Sequence, residues 1–298
     1  MTQFLELLIS GLSLGCIYAL IAMGFVIVFK ATNVVNFAHV SVLMLGAYLV
    51  ARWNDALGFG LAVLAAAAAC AIAAALLDVV FVRALRRRGG GVDALAILTI
   101  GLNIVLATEL ARAVGTDILP TGAPWGSDVA HILGVAVPQT RVAAAIVATV
   151  LMVAFWAAFT YSDWGVAMRS AAADREIAAL MGIRLTRMAA VVWAIAGALA
   201  AIAGAFFTSF PAAGVSNATY LLALTAIPAA VVGGLDSTAG AVVGGLVIGV
   251  ATTFAAGYQD EISFLGRGLS EVVPYLVLLA VLLWRPSGLF GTRETTRV

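Results

Sequence analysis

Long apolar stretches, separated by short polar segments, run the length of the 298-residue chain. A helix needs about 20 residues to cross a hydrocarbon core about 30 Å thick, and eight of these stretches are interpreted as spans, the last of them short. They cover about 4–29, 34–50, 61–82, 94–114, 142–161, 188–210, 241–256 and 272–284. The pattern predicts an all-α, polytopic membrane helical bundle of about eight spans, in which residues 1–298 form a single transmembrane domain.

One further apolar stretch, at 220–232, is too short to cross a bilayer upright. It contains Thr225 and Pro228, a polar residue and a helix breaker in an otherwise apolar sequence. We therefore expect a broken or re-entrant helix here, next to a conduit.

Composition agrees with a membrane protein and excludes other classes. Hydrophobic residues make up 63% of the chain and charged residues 10%, and the mean hydropathy of +1.11 is too high for a surface in water. The net charge of +1 and the lack of a long basic run argue against a nucleic-acid partner.

Cys16 and Cys70 lie in apolar stretches and are interpreted as small buried hydrophobes. The first stretch has no basic segment before it, so we expect a retained span and no signal peptide.

The distribution of Lys and Arg predicts the orientation. If the segment RALRRRGGG at 83–91 is cytoplasmic, twelve of the sixteen Lys and Arg residues fall on that side. The four left outside are Arg52, Arg112, Arg141 and Arg267. This bias predicts an N-terminus outside and a C-terminus in the cytoplasm. Asp78, at the end of the third span, would then lie near the interface.

The segment RSAAADREIAALMGIRLTR, 169–187, concentrates six charges in a chain that has few. It belongs to a predicted cytoplasmic loop at 162–187. We expect a helix at about 170–182 that starts with Ser170 as its cap and stops at Gly182, which can take a left-handed conformation. Thr186 would cap the next span.

This predicted helix is amphipathic. An apolar stripe at helical spacing faces away from the charges; it consists of Ala173, Ile177, Leu180 and Met181. Such a helix can lie on the lipid surface, insert into a groove of a soluble partner, or be a solvated connector. The pattern by itself leaves these three uses open.

The chain shows no chemistry for using ATP or for catalysis. A phosphate-binding loop needs a Lys after its glycines, and the single lysine, Lys30, stands between Phe29 and Ala31. His39 and His131 have no carboxylate at metal-ligand spacing. We expect no catalytic residue, no metal and no cofactor bound by this chain.

Polar residues within or between spans are the candidates for a substrate path, because they are costly in a membrane. They are Asn33, Asn36, His39, Asn103 and Thr225. Asn33 and Asn36 could instead form a simple cytoplasmic turn with Lys30, and Asn103 could hydrogen-bond a neighbouring span.

Glycines at spacings of four and five residues allow close approach of helices. They are Gly240, Gly244, Gly245 and Gly249. Their packing partner could lie within the chain or in a second permease subunit.

Four blocks, in order, carry a resemblance to a known family. Glu176–Ala178 followed by Gly182 resembles the EAA–x–x–x–G loop of bacterial ABC importer permeases, with Ile177 in place of Ala. The segment at 33–49 is similar to the N-F-A-H-G block of LivH-type permeases for branched-chain amino acids, with Val40 in place of Gly. GGLDSTAGAVVGG at 233–245 and RPSGLFG at 285–291 look like two further blocks of that family.

The resemblance implies a permease subunit of an ABC importer for branched-chain amino acids in the bacterial plasma (inner) membrane. It implies a second, LivM-like permease, two cytoplasmic ATPases that bind ATP-Mg, and an extracytoplasmic substrate-binding protein, with lipid around the spans. The loop helix would be the coupling helix that docks on an ATPase. Its residues would be Asp174, Arg175, Glu176, Ile177, Ala178, Leu180, Met181 and Gly182.

Two other functions stay open. The first is an ABC permease for urea or amides. The second is an ion-coupled secondary carrier that uses His39 or Glu109 as its protonatable group, although Glu109 could simply reach water and pair with Arg112. Few charges occur in the spans, and the sequence shows no paired ionic partners for a zwitterion. We therefore expect a largely apolar passage of low affinity.

Overall fold

The computed structural model describes residues 2–122, 128–132, 135–209, 214–261 and 268–292. Helices dominate these ranges, with one short hairpin of β1 (Val129–Ile132) and β2 (Val135–Pro138). The helices are α1 (Thr2–Thr32), α2 (His39–Leu57), α3 (Phe59–Leu77), α4 (Arg83–Arg87), α5 (Val92–Val114), α6 (Gln139–Tyr161), α7 (Asp163–Ala173), α8 (Arg175–Leu180), α9 (Leu185–Phe207), α10 (Asn217–Leu224), α11 (Ile227–Gly233), α12 (Thr238–Gly257) and α13 (Leu269–Trp284).

Six helices of the described ranges are long and apolar enough to cross a membrane, which agrees with the predicted all-α membrane bundle. They comprise α1, α3 continued through α4, α5, α6, α9 and α12. The helix α2 contains Arg52 and Asp55, and α13 has only 16 residues, so neither is among the six. The hairpin was not predicted, because its short strands stand between two much stronger apolar stretches.

α1 is the central helix of the bundle and packs mainly against α12 and α9. Its seam with α12 is built from glycines: a Cβ on Gly245 would overlap the backbone of Ala19, and one on Gly249 would overlap the backbone of Gly15. Small residues let two backbones approach without side chains between them. The glycine spacing predicted from the sequence therefore serves packing within the chain.

α3 ends in a π-helical turn, Asp78–Val82, which leads into α4. The sequence predicts that Asp78 lies near the membrane interface. In the structure its side chain is buried, and Arg83 donates a hydrogen bond to its carboxylate over 3.4 Å. A buried carboxylate is tolerated when a charged partner stays within reach.

The segment predicted to be broken or re-entrant consists of α10 and α11, interrupted at Thr225 and Ala226. Ser216 and Thr219 form a capping box before α10, and Pro228 is in the first turn of α11, where a missing N–H costs nothing.

The two short helices run from one end of the bundle to the other. Just before α10, Val215 pairs with Leu119, which follows the end of α5. Just after α11, Gly233 accepts a hydrogen bond from Phe290, which follows the end of α13. Together their 17 residues cover about 25 Å. The segment is thus an interrupted crossing and does not turn back to the side from which it enters.

Candidate functional site

The charged loop forms two helices and not one. Ser162 caps α7, and Ser170 lies inside α7, so the predicted start at Ser170 is wrong. The cap of α8 is Asp174, whose carboxylate accepts hydrogen bonds from the N–H groups of Glu176 (2.9 Å) and Ile177 (3.0 Å). Asp174 has extended backbone angles, which interrupt the helix there. A carboxylate accepts hydrogen bonds from two N–H groups more strongly than a hydroxyl does. The alanines at 171–173 have no side chain that could cap a helix, so α7 continues up to Asp174.

α8 ends as predicted, with Gly182 in the left-handed region at φ 86°. The predicted cap at Thr186 is wrong, because α9 already begins at Leu185 and Thr186 lies within its first turn. Gly182 is therefore the predicted feature that ends α8, and the loop to α9 is only four residues long, 181–184.

α8 presents an apolar surface to the outside of the chain. Ile177, Leu180 and Met181 are 59%, 86% and 79% exposed, whereas Ala178 is buried against the rest of the bundle. The side chain of Ala173, the fourth member of the predicted stripe, lies outside the described residues. Exposed large hydrophobes on a charged loop indicate a contact with another molecule.

Arginines connect this loop with the end of α1. Arg175 donates a hydrogen bond to the carbonyl of Ala31 over 2.6 Å, and Arg86 donates one to the carbonyl of Thr32 over 3.2 Å. Burial, and after it the charge of Arg86, lowers the pKa of the Arg175 guanidinium. The last carbonyls of a helix carry partial negative charge, so they are suitable partners for two cations. The Arg175 bond connects α8 directly to the end of α1.

The turn after α1 holds three of the path candidates. Asn33 is exposed, with a positive φ of 54°, and ends α1. Asn36 and His39 are buried, and neither Oδ1 of Asn36 nor Nε2 of His39 has a hydrogen-bond partner among the described residues. The ring of His39 packs on Phe25, with 4.7 Å between ring centroids. Two buried polar atoms without partners are uncommon and mark this turn as a place where a water or a ligand group can bind.

The turn is attached to α5 through Thr99. Its hydroxyl donates to the carbonyl of Val35 over 3.0 Å and accepts from the N–H of Phe37 over 3.3 Å. Because backbone groups of an irregular segment must be satisfied inside a membrane protein, Thr99 makes this break in the helices possible.

Asn103 hydrogen-bonds neighbouring helices, which was the second of its predicted uses. Its Oδ1 accepts from Ser41 of α2 over 2.5 Å, and its Nδ2 donates to the hydroxyl of Tyr220 in α10 over 2.7 Å. Asn103 therefore connects three helices and fixes α5 to the bundle.

Thr225 lies where α10 is interrupted. Its hydroxyl donates to the carbonyl of Leu222 over 2.6 Å and lies 2.8 Å from the hydroxyl of Tyr18, so Tyr18 is the donor in the second bond. Both residues are buried. Their bond joins the break to the middle of α1.

A cavity of about 420 Å³ opens next to Thr225 and Tyr18, between α1, α6, α9, α10, α12 and α13. Arg141, Glu6 and Glu271 all line it, together with hydroxyl groups and apolar side chains. Charged side chains thus line this cavity, although few charges occur in the predicted spans. Spacing could not reveal them, because Glu6 and Arg141 are 135 positions apart and meet only through the packing of α6 on α1.

The structure does not bring the five path candidates to one place. Asn36 and His39 are neighbours in the turn after α1, whereas Asn33 lines a separate cavity of about 600 Å³ with Asp236. Asn103 and Thr225 bind different partners on opposite sides of α10.

Comparison with known proteins gives a consistent result. The family described as "Branched-chain amino acid transport system / permease component" matches residues 7–282. The chain is 30% identical to the high-affinity branched-chain amino acid transport system permease protein LivH of Escherichia coli K12, over 99% of this chain and 98% of that protein. It is 31% identical to BraD of Pseudomonas aeruginosa over the same shares. A probable LivH of Methanocaldococcus jannaschii is 25% identical over 91% of this chain and 88% of that protein. No solved structure gives a significant match.

Proposed function

Since this chain belongs to the family of permease components of branched-chain amino acid transport systems, we propose that it forms the translocation path for these amino acids in an ABC importer. It is a transport subunit and not an enzyme. We further propose that two separate cytoplasmic ATPases drive it, that a second LivM-like permease completes the path, and that an extracytoplasmic binding protein delivers the substrate. Its membrane would be the bacterial plasma membrane.

The observation that carries this proposal is α8. Its apolar side chains are exposed, its start and stop are fixed by Asp174 and Gly182, and Arg175 binds the end of α1. A secondary carrier has no need of an exposed apolar helix on a loop. An ATPase that binds this surface could move the turn at Asn36 and His39 through the Arg175–Ala31 contact.

The proposed topology places the N-terminus outside and the C-terminus in the cytoplasm. We count the six long helices, together with α2 and α13, as eight crossings. With the interrupted crossing α10–α11 the number is odd, so the termini lie on opposite sides. Lys30, Arg169 and Arg175 then lie at the same end of the bundle, since Lys30 and Arg169 both contact the Phe159 ring and Arg175 binds Ala31. This clustering of cations agrees with a cytoplasmic location of that end.

Two charge reversals distinguish the importer from an ion-coupled carrier. Glu176→Lys alters the proposed docking surface, and Glu109→Lys alters an exposed ion pair at the far end of α5, where Arg112 binds Glu109 over 2.9 Å. Both changes place a Lys at an exposed position, so they serve as matched controls for each other. The measurements are ATP-dependent leucine uptake in vesicles and co-purification of the ATPases.

For an importer, Glu176→Lys abolishes uptake and reduces the amount of co-purified ATPase, while Glu109→Lys transports normally. For a carrier, Glu176→Lys has no effect, and either Glu109→Lys or His39→Ala abolishes proton-driven uptake, depending on which of the two residues carries the proton. A parallel measurement with radiolabelled urea tests the permease for urea or amides. Uptake of urea in preference to leucine would contradict the proposed substrate.

A further inference from the structure

The cavity beside Thr225 has the chemistry of an amino-acid site. Its volume of about 420 Å³ is in the lower part of the range for small-molecule sites. Leu7, Leu14, Phe207 and Leu222 form an apolar wall, which suits a branched aliphatic side chain.

The guanidinium group of Arg141 is among the groups that line the cavity. Arg141, in the first turn of α6, is half-buried, and its guanidinium donates a hydrogen bond to the buried hydroxyl of Ser10. The nearby Glu6 carboxylate interacts with it electrostatically. Ser10 and Glu6 lie one turn apart on α1, so they hold the planar guanidinium from one side. A guanidinium in a fixed orientation binds a carboxylate through two parallel N–H···O bonds.

Carboxylate and hydroxyl groups of other helices line the cavity as well. Glu271 and Ser270 come from the first turn of α13, and Thr252 and Thr253 come from the last turns of α12. A carboxylate and hydroxyl oxygens are suitable acceptors for the three N–H groups of an ammonium ion. The cavity thus offers partners for both charges of a zwitterion and an apolar wall for its side chain.

We propose that this cavity binds the zwitterion of a branched-chain amino acid, with its carboxylate on Arg141 and its ammonium on Glu271. This inference rests on the proposed function and names the site within it. The side chain lies on Leu14 and Phe207, next to the Tyr18–Thr225 hydrogen bond. The substrate therefore binds directly beside the break between α10 and α11 before it passes inward.

The test removes each charge from the protein and, separately, from the ligand. Purified importer complex without binding protein is titrated with leucine, with leucinamide, which lacks the carboxylate, and with 4-methylpentanoate, which lacks the ammonium. Arg141→Gln weakens leucine binding at least about tenfold and leaves leucinamide binding unchanged. Glu271→Gln weakens leucine binding and leaves 4-methylpentanoate binding unchanged.

Arg112→Gln is the matched control, because Arg112 is also an arginine near a helix end but does not line the cavity. We expect the Arg112→Gln complex to bind leucine, leucinamide and 4-methylpentanoate as the wild-type complex does. Arg141→Lys keeps the charge without the planar fork and is expected to bind leucine with an intermediate affinity. Elution of each variant as an intact complex in size-exclusion chromatography establishes that it is folded.

Equal losses for leucine and leucinamide in Arg141→Gln would overturn the inference, and so would wild-type complex that shows no saturable leucine binding at millimolar concentration. The proposed function has a separate readout in ATP-driven leucine uptake by the wild-type importer with its binding protein. If the wild type transports leucine and the cavity variants transport and bind like it, only the site is wrong. If the wild type does not transport leucine, the proposed function itself is wrong.

Discussion

α1 and α5 have similar hydropathy, 2.4 and 2.0, and yet their surroundings differ strongly. Within the most apolar 18-residue window, 83% of α1 is buried in the bundle but only 17% of α5. α1 contacts its neighbours through glycines that bring backbones together, whereas α5 is attached mainly by hydrogen bonds of Thr99 and Asn103. Hydropathy therefore predicts that a helix crosses the membrane, while small and polar residues determine where in the bundle it lies.

The difference has a consequence for motion. Close backbone packing is lost as soon as two helices separate, so the α1–α12 seam is suited to remain fixed. A few hydrogen bonds at the edge of the bundle can exchange partners at low cost. We expect α5, which holds the turn at Asn36 and His39, to be the helix that moves during transport.

The largest effect is expected for an added methyl group in the seam. Gly245→Ala would place a Cβ against the backbone of Ala19, and backbone cannot rotate away as a side chain can. We expect a loss of at least about 3 kcal/mol in the free energy of unfolding. The matched change on α5, Gly101→Ala, meets nothing within 4 Å and is expected to stabilise the chain by up to about 1 kcal/mol. Thermal unfolding in detergent measures both, and equal losses would contradict the contrast.

The next effect concerns the contact between His39, at the start of α2, and Gly24 of α1. A Cβ on Gly24 would overlap the imidazole ring, so we expect Gly24→Ala to destabilise the protein by about 2 kcal/mol. His39→Ala removes the ring and makes room for that methyl group. The double variant should therefore recover part of the stability that Gly24→Ala loses, as measured by a double-mutant cycle. Strictly additive losses would show that the two residues do not contact each other.

A smaller effect is expected on α5. Asn103→Ala removes hydrogen bonds to Ser41 and Tyr220 and should cost about 0.5–1.5 kcal/mol, since such bonds between membrane helices are weak. Tyr220→Phe removes one of the same bonds and should be less than additive with Asn103→Ala. Thermal unfolding of the single and double variants provides the comparison. A loss as large as that of Gly245→Ala would mean that α5 is as firmly packed as α1.

The smallest effect is expected for the ion pair at the end of α5. Glu109 and Arg112 are 2.9 Å apart but largely exposed. Glu109→Gln should change stability by less than about 0.5 kcal/mol, because exposed ion pairs contribute little. The effect should diminish further at high salt, where charges are screened. A loss above 1 kcal/mol at high salt would indicate that the pair is buried in an interface.

The sequence predicted the features that depend on local pattern. The long helices, the interruption near Thr225, the stop at Gly182 and the glycine seam all follow from spacing within a short segment. The predicted helix caps at Ser170 and Thr186 were wrong because Ser170, Asp174 and Thr186 all have side chains that can cap a helix. Which of them does so depends on where the backbone leaves the helical conformation. The polar groups of the cavity beside Thr225 could not be predicted, since Glu6, Arg141 and Glu271 meet only after α1, α6 and α13 have packed.

The interrupted crossing α10–α11 also constrains how the chain is made. Each crossing reverses the side on which the following residues are released during synthesis. In the proposed topology, everything from Asp236 onward would emerge on the wrong side of the bilayer if these 17 residues failed to insert. The bonds from Leu289 and Phe290 to the end of α11 could then never form. Those two bonds can join the segment after α13 to α11 only when the chain has the correct topology. They would therefore stabilise the correct topology at the end of biosynthesis.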